Sequence, residues 1–104
     1  MDRQEFINKI KLGVKTNDPN AEVYLFGSRA RGDNNKDSDW DILILVDENK
    51  VTLDIEDKFR DDLYDLELET GQVISTLIYP KKYWQETLKY SPLFESVRQE
   101  GIQL

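Results

Sequence analysis

Apolar residues first recur at helical spacing in this chain. Phe6, Ile10 and Val14 fall four apart and Ile7 three before Ile10, which puts them on one face of a helix. Asp2, with Glu5 three positions on, has the form of a capping box at its start, and the pattern carries to about Lys15. Asn17-Asp18-Pro19-Asn20 is turn chemistry. The period then changes. Glu22-Val23-Tyr24-Leu25-Phe26 is rich in β-branched and aromatic side chains and stops at Gly27, which predicts a strand. The polar stretch from Gly32 to Asp37 predicts a loop. Beyond it, Trp40-Asp41-Ile42-Leu43-Ile44-Leu45-Val46 is nearly continuously apolar, as in a central strand covered on both faces.

Thr52 suits the N-cap of a long helix in which Ile55, Phe59, Leu63 and Leu66 form an apolar stripe while Asp54, Glu56, Asp57, Asp61, Asp62 and Asp65 face solvent. Gly71 suits its C-terminal end. Val73 to Tyr79 predicts a third strand. Pro80 then opens a segment with two helices, Lys81 to Lys89 and Pro92 to Glu100, separated at Ser91-Pro92. Tyr83, Trp84, Leu88, Leu93, Phe94 and Val97 read as the inner faces of those helices, and Gly101 to Leu104 as either an edge strand or a frayed end. The order helix, strand, strand, helix, strand, helix, helix predicts an α/β (α+β) fold, a small mixed sheet of three to four strands packed with helices. With no repeat or linker, residues 1–104 are expected to form a single domain.

Composition narrows the chemistry. The 104 residues hold no cysteine and no histidine, which removes disulfides, thiolate nucleophiles, imidazole bases and the usual zinc ligands. Carboxylates remain as the strong metal ligands, and their hard oxygens favour Mg²⁺ or Mn²⁺. The formal charge of −7 argues against non-specific nucleic acid binding, which depends on clustered Lys and Arg displacing counterions. A basic partner protein is easier to accommodate. The charged start Met1-Asp2-Arg3-Gln4-Glu5 and the lack of any long apolar run predict no membrane association and a cytoplasmic location.

Two short stretches are candidates for chemistry. Gly27-Ser28 follows a strand, and a helical turn beginning there would turn free N–H groups outward, an arrangement suited to phosphate. Gly27 lets the backbone approach a triphosphate closely, the Ser28 hydroxyl can donate to it, and Arg29 or Arg31 can add charge-assisted contacts. Asp39 and Asp41, two apart at the mouth of a strand, share a sheet face and can converge on divalent ions. Crowded there, they repel one another unless a cation or base neutralises them. Trp40 between them points to the opposite face and reads as core. Asp37 belongs to the loop.

Leu25-Phe26-Gly27-Ser28-Arg29-Ala30-Arg31-Gly32 followed by Ser38-Asp39-Trp40-Asp41-Ile42 resembles the signature of the minimal nucleotidyltransferase family, within the DNA polymerase β-like superfamily. The order of elements matches as well. The resemblance implies that Gly27 and Ser28 hold the phosphates of ATP or another nucleoside triphosphate and that Asp39 and Asp41 ligate Mg²⁺ or Mn²⁺. It also implies transfer of a nucleoside monophosphate, typically AMP, to an acceptor hydroxyl. Small members of the family commonly pair with a helical HEPN-type partner protein as antitoxin and toxin, so an antitoxin role is implied too.

One position departs from that pattern. Active members usually carry a third carboxylate on the third strand, and here Ser75 stands at the corresponding place, in a stretch from Gln72 to Pro80 without an acid. A neutral hydroxyl neither balances a second metal nor accepts a proton near neutral pH. Glu67 and Glu69 lie close in sequence but at the end of the preceding helix. Two functions therefore stay open: a nucleotidyltransferase, or a catalytically degenerate binding module of the same fold that neutralises or scaffolds a partner protein.

Overall fold

The computed structural model describes residues 1–104. Its elements run α1 (Arg3–Asn17), β1 (Glu22–Phe26), α2 (Ser28–Arg31), β2 (Trp40–Val46), α3 (Leu53–Thr70), β3 (Ile74–Pro80), α4 (Lys81–Glu86), α5 (Pro92–Glu100) and β4 (Ile102–Gln103). The strands form one mixed sheet in the order β3-β2-β1-β4. β1 is antiparallel to both of its neighbours, while β2 and β3 are parallel. A parallel pair requires a crossover, and α3 supplies it.

Helix starts follow the local chemistry read from the sequence. The Asp2 carboxylate accepts from the Glu5 N–H at 2.8 Å, Thr52 Oγ1 from the Ile55 N–H at 3.3 Å, and Ser91 Oγ from the Phe94 N–H at 3.1 Å. Each satisfies a backbone donor that the first turn leaves without a partner.

Alternation along β2 divides the interior. Trp40, Ile42, Ile44 and Val46 face α1 and α3, where they pack with Phe6, Ile10, Val14, Phe59, Leu63 and Leu66 in the larger cluster. Leu43 and Leu45 face the other way, onto Trp84 of α4 and Val97 of α5. Asp41 shares the side of Leu43 and Leu45. The site that forms around it thus lies at the α5 side of the sheet, with Trp40 turned into the opposite core.

Two details depart from expectation. α4 ends at Glu86 rather than Lys89. The Thr87 and Leu88 N–H groups both donate to the Tyr83 carbonyl, at 2.9 and 3.2 Å, so the helical ladder stops there. Tyr83, expected on an inner face, is 44% exposed and stacks on Tyr79 at 5.9 Å. The terminal residues form an edge strand: Ile102 and Gln103 pair with Leu25 and Tyr24, and the Leu104 N–H donates to the Val23 carbonyl at 2.8 Å.

Candidate active site

The last residue of β1, Phe26, lies opposite Asp41 in the antiparallel register. The chain then turns at Gly27, whose φ of 74° and ψ of −160° suit a residue without a Cβ. Space imposes the same choice. A Cβ placed on Gly27 would fall on Asp41 Oδ2 and lie 3.1 Å from its Cγ. The Gly27-Ser28 turn and the Asp39/Asp41 pair, separate in sequence, therefore meet as one site.

Asp39 is exposed just before β2, while Asp41 is half-buried at the start of the strand. Burial lifts the Asp41 carboxyl above its ordinary range, and the negative charge of Asp39 adds to the lift; Arg31 pulls the other way and Glu100 adds again. Partial desolvation beside a like charge favours a cation next to the pair. In the parallel register Asp41 lies beside Ser75, so the hydroxyl occupies the neighbouring place on the same face. Glu67 is engaged elsewhere, accepting from the Ile74 N–H at 3.1 Å, and Glu69 pairs with Lys9 at 3.0 Å. Nowhere do three acidic side chains converge as a ligand cluster.

The two arginines of α2 part company. Arg29 runs to the Trp40 side, its guanidinium 4.6 Å from the indole centroid. There it donates to the Ser38 carbonyl at 3.0 and 3.2 Å, to the Lys36 carbonyl at 3.3 Å and to Gln72 Oε1 at 3.2 Å. Gln72 Oε1 also receives the Trp40 Nε1–H at 3.1 Å. With those donors engaged on the far face, Arg29 does not meet the expectation of a phosphate contact. It instead pins the loop residues that lead into Asp39. Arg31 stays on the near side, where its charge acts on Asp41.

Sequence reasoning missed Glu100. This last residue of α5 accepts from the Gly27 N–H at 3.2 Å and binds Arg31 through both oxygens, at 3.1 and 2.9 Å. Its side chain is only 19% exposed. A faint signal existed: an acid in the last turn of a helix opposes the helix dipole and needs a compensating partner.

A sequence profile of the nucleotidyltransferase domain matches residues 7–98. The chain belongs to the nucleotidyltransferase domain family. A Methanocaldococcus jannaschii relative named as a candidate protein adenylyltransferase is 35% identical over 102 residues, covering 96% of each chain. Among solved structures, a toxin–antitoxin with AMP-PNP superposes over 98% of this chain and 72% of its own, with a TM-score of 0.63 at 20% identity. A mutant of the MntA–HpeT toxin–antitoxin superposes over 100% and 72%, with a TM-score of 0.58 at 20% identity. These two structures share the nucleotidyltransferase fold seen here, in agreement with the resemblance to the minimal nucleotidyltransferases. Within this nucleotidyltransferase domain, the oxygens of Asp39 and Asp41 are suited to a hard divalent cation. Gly27, Ser28 and Arg31 present backbone N–H, hydroxyl and guanidinium donors suited to phosphate oxygens.

Proposed function

We propose that this chain binds a nucleoside triphosphate with Mg²⁺ or Mn²⁺ and transfers its nucleoside monophosphate, AMP from ATP, to a hydroxyl on a partner protein. The observation that carries this reading is the direct contact of Gly27 with Asp41, which joins a phosphate-binding turn to a carboxylate pair. The relative named for protein adenylylation and the AMP-PNP-bound toxin–antitoxin structure support the choice of nucleotide and of a protein acceptor. From the resemblance to the minimal nucleotidyltransferases we further propose that the partner is a toxin of HEPN type and this chain its antitoxin.

Each residue then has a task. Gly27 lets the backbone come close to the phosphates, Ser28 and Arg31 donate to their oxygens, and Asp39 and Asp41 would hold the cation. When bound, a divalent ion of this kind neutralises phosphate charge and orients the groups in line. The acceptor oxygen bonds to the α-phosphorus as the bond to the bridging oxygen breaks, and pyrophosphate leaves. Ser75 cannot take the acceptor's proton near neutral pH, so the proton passes to water. Catalysis by the protein is then chiefly positioning and charge.

Ser75 beside Asp41 favours a second reading, a binding module that grips nucleotide and partner without turnover. Incubation with α-labelled ATP, Mg²⁺ and the co-purifying partner separates the two. Label on the partner that disappears with Asp39→Asn/Asp41→Asn supports transfer. No label, with partner binding intact in both proteins, leaves the binding module.

A further inference from the structure

Two of the donors assigned to phosphate, the Gly27 N–H and the Arg31 guanidinium, are already engaged. Glu100 Oε1 accepts from the Gly27 N–H, and both of its oxygens accept from Arg31 Nη1. A carboxylate, like a phosphate, offers two negative oxygens to a backbone N–H and a guanidinium. The chain also holds this carboxylate firmly in position. Glu100 ends α5, and Gly101 turns so tightly there that a Cβ on it would fall on the Val97 carbonyl oxygen and lie 3.0 Å from Val97 Cγ1. β4 then fastens the following residues to β1. Arg31 is pulled in two directions, with Asp33 on its Nε at 3.1 Å. Glu100 also adds negative charge beside Asp41, on the side where a triphosphate would bring more.

We propose that Glu100 is an internal competitor for the phosphate subsite: it holds the Gly27 N–H and Arg31 until a nucleoside triphosphate displaces it. The proposal rests on the nucleotide reading given above and adds that the site is self-occupied at rest.

Calorimetric titration with Mg–AMP-PNP tests it on the wild type, Glu100→Ala and, as a charge control, Glu95→Gln, an acid on the same helix whose partners are Arg98 and Gln99. The expected result is tighter binding to Glu100→Ala by about tenfold, the scale of one charge-assisted contact relieved, with Glu95→Gln unchanged. Wild-type binding with equal or weaker binding to Glu100→Ala overturns the proposal while leaving the nucleotide site standing. An equal gain in Glu95→Gln also overturns it, because net charge alone would then account for the effect. No binding to either the wild type or Glu100→Ala overturns both readings together. If the alanine variant melts below the assay temperature, Glu100→Gln decides by the same signs, since it keeps the shape and loses the charge.

Discussion

At Gly27, backbone conformation and close contact impose one residue. Alanine there would meet backbone at φ 74° and ψ −160° that costs a residue with a Cβ about 1–3 kcal/mol, and the Asp41 carboxylate as well. Gly27→Ala is therefore expected to lower stability by about 1–3 kcal/mol or more in a denaturant titration and to abolish measurable Mg–AMP-PNP binding. Ser75 gives the opposite kind of test. Placing a carboxylate beside Asp41 should supply the missing proton acceptor, so Ser75→Asp is expected to raise the rate of label transfer by about 10²-fold or more; an unchanged rate would show that the third carboxylate is not what limits turnover. Legibility at this scale divided by distance along the chain. Gly27-Ser28 and Asp39 with Asp41 are short motifs, and they could be read. The contacts of Glu100 with Gly27 and of Arg29 with Trp40 and Gln72 join distant segments, and no local pattern announces them. The neighbouring arginines looked equivalent in sequence. Only the packing of Trp40 on the α1 side decides that Arg29 follows it there while Arg31 stays beside Asp41.

At the scale of elements, local chemistry was a dependable guide where it was strong. β1 and α5 begin and end where alternation, Ser91-Pro92 and Gly101 put them. The apolar run of β2 correctly implied a strand flanked on both sides. α4 fell short because the Thr87 and Leu88 N–H groups share the Tyr83 carbonyl and end the ladder there, a close that no residue type in the stretch announces. A mixed sheet was expected, but which strands pair antiparallel and which parallel was beyond reach, since register depends on which faces the whole molecule buries. Caps make a clean prediction at this level. Thr52→Ala removes the acceptor for the Ile55 N–H and should destabilise the chain by about 1 kcal/mol, seen as a fall of about 4–8 °C in Tm, with nucleotide affinity unchanged.

At the scale of the whole molecule, the two apolar clusters lie on opposite faces of β2, one holding Trp40 and the other Trp84. Because both share that strand, we propose that residues 1–104 unfold as one unit. Fluorescence melts of Trp84→Phe, which reports Trp40, and of Trp40→Phe, which reports Trp84, should each coincide with that variant's own circular dichroism melt; a clear separation within either variant would mean that the layers melt independently. The net charge of −7 bears on partners rather than on fold. Association with a basic partner should slow as salt rises and the Debye length shrinks, and stopped-flow mixing at graded ionic strength reads this directly. The central claim is that the Gly27-Ser28 turn and the Asp39/Asp41 pair are two halves of one metal–nucleotide site. The most direct measurement is calorimetric titration of the chain with AMP-PNP, with Mg²⁺ or with a chelator, beside Asp39→Asn/Asp41→Asn. We predict one-to-one binding that requires Mg²⁺ and weakens by about a hundredfold or more in the double variant. Equal affinity in both proteins, or binding indifferent to the chelator, would contradict the account.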